Sequence, residues 1–276
     1  MIALRTLVAI VEARPETIAE DYRRLLDLAG VEAPGASAGP VTLAAQAGAG
    51  GWFPGAGTPP WQIEGLLERY ASGGGARGVG VAAVDPRGGA GDAQGWGWGD
   101  VIAARGASLA GNDFWAERPW RPAAHLLGLA AAAGGAPTVP TGLADPGILG
   151  LLAVPSLDPA WTVAGTTRLL LSLVPGALRR PRKLPWVTYV SECLAFAREV
   201  LAARSTGDSS GPGTVAVLDG VIWEIGPGLR GRGPVGRNVL IAGTDPVAVD
   251  AVAARLSGAD PVRVPWLKAV ADAGLG

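Results

Sequence analysis

Runs of apolar residues broken by helix-period segments set the organisation of this chain. The stretch 6–12 is an uninterrupted buried-type strand. In 15–28, Ile18, Tyr22, Leu25 and Leu26 fall on one helical face, and Gly30 supplies the stop. A short strand at 41–45 runs into the turn Gly48-Ala-Gly-Gly51, and Thr58 and Pro59 then open a helix over 61–70. Strand character returns at 79–84 and ends at Asp85-Pro86. From 88 to about 120 the periodicity dissolves into Gly, Asp, Pro and Trp, which predicts a long irregular insertion. Helices are expected at 122–133, 162–173, 187–203, 246–256 and 265–273, and strands at 148–154, 215–218, 221–225 and 238–242. The stretch 205–213 is polar and reads as a flexible connection. Alternating strands and helices predict an α/β fold, with a mixed, largely parallel sheet flanked by helices. The whole of 1–276 reads as one domain, with a sub-boundary allowed near 88–120.

Composition narrows the chemistry. Apolar residues make up 49% and charged residues 17% of the 276, the balance of a globular chain that can bury a large core. The formal net charge is −1, so nothing marks a nucleic-acid or membrane surface. Almost all the basic residues are arginine, which we attribute to coding bias and not to phosphate-binding design. The N-terminal apolar run soon meets Glu12 and Arg14 and lacks a small-residue cleavage site, so a cytoplasmic location is expected. A single cysteine, Cys193, excludes an internal disulfide and an all-cysteine cluster. A single histidine, His125, excludes two-histidine metal sites. No bound metal or nucleotide cofactor is therefore expected, although carboxylates could hold a hard cation.

Two motifs match patterns whose context is wrong. Gly207-Asp-Ser-Ser-Gly211 has the spacing of a nucleophile elbow, yet a helix precedes it and a strand follows, the reverse of the required order. Gly226-Pro-Gly-Leu-Arg-Gly231 matches a dinucleotide fingerprint but leads into a strand, with no helix to face a pyrophosphate. The arginines of that loop, Arg230, Arg232 and Arg237, could grip an anion or simply be solvated. His125 lies in an apolar segment, either as a packed histidine or as an acid or base.

The remaining candidates are acids and tryptophans. Asp245 precedes Pro246 and reads as a helix N-cap. Asp250 sits among Val247, Ala248, Val249, Ala251 and Val252, so its carboxylate must find a partner or face a site. Glu224, within Val221-Ile-Trp-Glu-Ile225, raises the same question. Trp52, Trp61, Trp96, Trp98, Trp115 and Trp223 could line a pocket for a flat ligand, or could anchor loops in a chain with only three Phe.

The stretch Thr214-Val-Ala-Val-Leu-Asp-Gly-Val-Ile-Trp-Glu-Ile225 and then Asn238-Val-Leu-Ile-Ala-Gly-Thr-Asp-Pro-Val-Ala-Val-Asp250 resembles the domain-of-unknown-function family 362. The ending Val264-Pro-Trp-Leu-Lys-Ala-Val-Ala-Asp272 fits the family's closing helix, and Phe53-Pro-Gly-Ala-Gly-Thr-Pro-Pro-Trp61 a segment of one branch. The resemblance implies an α/β fold and places Asp219, Glu224, Asp245 and Asp250 on the family's acidic positions. Many members carry a ferredoxin-like cluster domain, for which redox roles have been suggested. Here Ala44-Ala-Gln-Ala-Gly48 and Pro155-Ser-Leu-Asp158 stand where members often have lysine motifs, and no cysteine cluster is attached.

These readings converge on an enzyme of secondary metabolism acting on a flat apolar small molecule, aromatic or polyketide-like. The expected chemistry is oxidation or isomerisation without a cofactor. Asp250, Glu224 and His125 are the candidate proton-handling residues, and the six tryptophans with Arg232 line the substrate. The alternatives are a non-catalytic binding protein on the same scaffold and an enzyme with Mg²⁺ or Ca²⁺ held by carboxylates. The expected partner is a small-molecule substrate, with a homodimer allowed.

Overall fold

A computed structural model describes residues 6–34, 39–47, 55–71, 78–85, 90–93, 95–120, 138–157, 163–174, 185–204, 213–225 and 233–275, without the side chains of 224 and 225. The main sheet is built from β1 (Val8–Glu12), β2 (Val41–Gln46), β3 (Val79–Val84), β4 (Ser108–Leu109), β7 (Ile148–Ala153), β9 (Thr214–Ile225) and β10 (Gly233–Gly243). Its order is β1-β10-β9-β7-β2-β3-β4, and the short β8 (Ser156–Leu157) adds to β9. The five strands from β9 to β4 run parallel, whereas β10 lies antiparallel between β9 and β1. A separate antiparallel pair joins β5 (Glu117–Pro119) and β6 (Thr138–Pro140). The architecture is the α/β mixed, mostly parallel sheet that the alternating pattern predicts.

Both sheet faces are buried, which explains why its strands are apolar without strict alternation. Val41, Leu43 and Ala45 enter one core with Val215, Val217, Leu240 and Ala242. That face is covered by α1 (Ile18–Leu28), α2 (Pro60–Ala71) and α3 (Trp98–Ala104). Ala44, Leu149, Leu151, Ala153, Ala216 and Leu218 face the other way. There they meet α6 (Thr166–Leu173), α7 (Trp186–Arg204), α8 (Pro246–Leu256) and α9 (Pro265–Asp272), together with the single-turn α4 (Asn112–Trp115) and α5 (Thr141–Ala144).

The order of these layers locates a crevice. Neighbouring parallel strands β2 and β7 send their following helices, α2 and α6, to opposite faces of the sheet. The chain therefore diverges at the carboxyl ends of these strands, the topological switch point where α/β sheets bind ligands.

Two expectations change. The stretches 215–218 and 221–225 are parts of one twelve-residue strand, β9, continuous through Asp219-Gly220. The segment expected to be irregular is largely built of short elements: α3, β4, α4 and β5. Its glycines serve the turn before α3, where Gly95 and Gly97 hold positive φ angles of 79° and 71°. Trp96 and Trp98 then drop into the core, with their rings 5.7 Å apart. The helix expected over 122–133 lies outside the described residues.

Candidate functional site

The site starts from a break in strand pairing. β9 is paired with β7 up to Ala153↔Leu218 and with β8 from Ser156↔Glu224. Between those pairs β9 takes more residues than its neighbour, so it bows away from β7 and β8 at 219–223 while staying paired with β10. The acidic residue at the start of the bow, Asp219, is 1% exposed. Its Oδ2 accepts hydrogen bonds from the Tyr22 hydroxyl at 2.6 Å and the Trp61 indole N–H at 2.7 Å. Its Oδ1 accepts one from the Val221 N–H at 3.0 Å. A carboxylate has about four acceptor directions. Three are filled here, and among the described residues one on Oδ1 is left.

Three elements hold these groups in place. Tyr22 reaches Asp219 because α1 packs closely on α2 at Gly65, where a Cβ would stand 2.7 Å from the tyrosine ring. The segment 55–59 is tied across the strand ends. The Thr58 hydroxyl donates to the Leu152 carbonyl at 2.6 Å and accepts from the Gln46 N–H at 2.8 Å. Gln62, one turn further on, donates to the carbonyls of Ala153 and Val217 at 3.3 and 3.1 Å. Trp98 donates its indole N–H to the Thr58 carbonyl at 3.1 Å.

A recess with a water-accessible volume of about 10 Å³ opens on Asp219. Gly55, Gly57, Pro59, Trp61, Val154 and Ile222 form its apolar wall. That is the size of one water molecule or one hydroxyl head group. Burial pushes the Asp219 carboxyl above the usual carboxylate range, against the pull of its three donors. Burial, then the nearby Asp219 charge, pushes the Tyr22 hydroxyl well above its ordinary value, so it stays protonated and donates. Larger hollows of about 300 Å³ lie between α1 and α2 and beside Trp98. In the first, Arg23 pairs with Glu68 and Arg69 with Asp27, so its charges already satisfy one another.

The structure distributes the expected site residues widely. Asp250 is fully buried on the other face of the sheet and caps α6 from outside that helix. Its Oδ1 accepts from the Thr166 N–H and hydroxyl, both at 3.0 Å. Its Oδ2 accepts from the N–H groups of Gly165 at 3.2 Å and Thr167 at 2.9 Å. This is where the partner for its carboxylate comes from, and the role it defines is a cap. Asp245 is the N-cap of α8, bonded to the Val247 and Ala248 N–H groups and to Arg198 at 2.7 Å. Trp96, Trp98 and Trp223 are at most 1% exposed, so their rings fill core instead of offering a stacking face. Trp115 stacks edge-on with Phe114, the centroids 4.9 Å apart, away from the recess. Of the described tryptophans, Trp61 alone borders both the recess and Asp219. Trp52, His125 and Arg232 lie outside the described residues, as does the side chain of Glu224.

Asp219 is legible in the sequence only through the family resemblance, because it falls between the two strands expected at 215–218 and 221–225. Of its partners, Trp61 is a candidate pocket residue, whereas Tyr22 shows only as part of an apolar helix face. Among the described residues no three His, Cys, Asp or Glu side chains converge on a cation site. No described helix is long and apolar enough to cross a membrane. Comparison of the chain with family models, with characterised proteins and with solved structures yields no match.

Proposed function

We propose that the chain is an enzyme acting on a small molecule, with Asp219 as the proton-handling group at the switch-point crevice. The observation that carries this reading is the coincidence of three features at one place. A parallel sheet diverges there, a strand parts from its β7 and β8 neighbours, and a buried carboxyl with one acceptor direction left among the described residues borders a recess. A carboxyl raised above its ordinary value by burial is a stronger proton acceptor than a solvated one. Tyr22 and Trp61 hold its orientation fixed, as a base needs.

The reaction best served is proton abstraction from an enolisable or phenolic substrate. In an isomerisation the proton leaves one substrate atom for Oδ1 and returns to another, so the step balances with this group alone. The same abstraction could begin an oxidation in which dioxygen takes the electrons. The resemblance to the domain-of-unknown-function family 362 accords with this assignment, since Asp219 falls on one of that family's acidic positions.

The test is solvent exchange. A panel of cyclic 1,3-diketones and hydroxyquinones is incubated with the protein in deuterium oxide, and label entering the substrate is followed by mass spectrometry. Wild-type protein accelerates exchange on at least one compound, and Asp219→Asn slows it by about 100-fold or more. Equal exchange by a folded Asp219→Asn variant would remove Asp219 from the mechanism. Saturable binding with no exchange would favour a non-catalytic binding protein.

A further inference from the structure

We infer that the recess receives the hydroxyl of an uncharged phenol or enol and excludes phosphorylated and carboxylated ligands. This rests on the crevice assigned above and adds the class of head group it accepts. In α/β sheets the helix N-termini at a switch point are the usual anion seats, because their free N–H groups and dipole face the crevice. Neither flanking helix here presents the usual set of free N–H groups. The start of α2 carries Pro59 and Pro60, which have no N–H, and the Gln62 and Ile63 N–H groups are bonded to the Pro59 carbonyl, so among its first-turn donors the Trp61 N–H alone is left. At the start of α6 the Gly165, Thr166 and Thr167 N–H groups all point at Asp250, whose two oxygens stand where phosphate oxygens would sit. A Cβ on Gly165 would lie 2.2 Å from the Leu218 side chain and 3.1 Å from the Val154 carbonyl, so no gap remains beside that cap for a second anion.

What faces the recess is an acceptor. Among the described residues the Asp219 carboxyl is the charged group in its wall, and the others are glycine, proline, valine, isoleucine and tryptophan. Its vacant direction on Oδ1 asks for a donor, and an approaching phosphate or carboxylate would meet like charge at a 1% exposed position. A hydroxyl fits a space of about 10 Å³, and an attached ring or enol would extend outward along Trp61, Pro59 and Ile222.

Three probes sharing one ring separate the classes: phenol, benzoate and phenyl phosphate. Each is titrated into ¹⁵N-labelled protein at matched ionic strength while the Trp61 indole N–H resonance is followed, its assignment fixed by its disappearance in Trp61→Phe. Phenol shifts that resonance saturably, whereas benzoate and phenyl phosphate leave it unmoved over the same concentration range. In Asp219→Asn the half-saturating phenol concentration rises by about tenfold or more. A saturable response to either anion, or none to phenol, overturns the inference. Should Asp219→Asn fail to fold, the comparison of the three probes on wild-type protein still decides it. Phenol binding without deuterium exchange would retain this head-group class while the enzymatic reading failed. Exchange that depends on Asp219 but proceeds on phosphorylated compounds would do the reverse.

Discussion

Removing the Asp250 carboxylate would strand the N–H groups of Gly165, Thr166 and Thr167 in a site that water does not reach. Asp250→Ala should therefore cost about 3 kcal/mol, read as a lowered urea midpoint with an unchanged slope. Asp250→Asn should also destabilise, because its amide would turn donors towards donors. A loss below about 0.5 kcal/mol in the alanine variant would show that the cap contributes little. Asp219 differs although both acids are buried. Asp250 is ringed by donors with no recess beside it, whereas Asp219 has three donors and an opening. The sequence flags Asp250 as an acid in an apolar run and reaches Asp219 only through the family resemblance. It cannot separate them, because, Val221 apart, the donors to each come from residues 83 to 197 positions away.

Close approach between elements is what carries Tyr22, Trp61 and Asp219 to one point. Gly220 shows the constraint most directly. A Cβ there would stand 2.5 Å from the Trp223 indole nitrogen and 2.8 Å from the Val239 carbonyl oxygen on the neighbouring strand. Because the backbone of β10 must move to admit it, Gly220→Ala should cost about 1–3 kcal/mol and disturb the stretch of β9 that sets Asp219 beside the recess. Thermal melting checks the first effect, and loss of phenol response at Trp61 the second. β10 is itself irregular at this level: its pairing with β9 shifts between Gly236 and Val239, and Asn238 holds a φ of 51°. Arg204 is the other tie that only the assembled elements reveal. It is buried at the end of α7, donating to the carbonyls of Gly142, Leu143, Gly147 and Ile148, and burial lowers its guanidinium to about 10.

Across the whole molecule the two buried carboxyls give the pH dependence of stability a definite sign. Burial raises both Asp219 and Asp250 above their values in the unfolded chain. The folded state then holds protons that the unfolded state has released. Their contribution is fully present below the unfolded carboxyl value of about 4 and is lost as pH rises through the folded values. Asp219→Asn removes one such titration. The stability of wild type relative to this variant should be greatest at acid pH and shrink towards neutrality, measured by urea unfolding at several pH values. A difference independent of pH would count against a raised Asp219. At this scale the sequence determined a good deal by itself. Apolar runs of the two periods, with Gly and Pro as stops, placed most strands and helices and hence the α/β class, since those signals are local to each segment. Only the tertiary structure decided that β2 and β7 diverge at a crevice, that Trp96, Trp98 and Trp223 are core, and that Asp250 is a cap. It alone brought Tyr22 and Trp61 onto Asp219. The reason is that strand order, the extra residues of one strand and the donors around a buried acid depend on contacts between distant segments, which no local periodicity encodes.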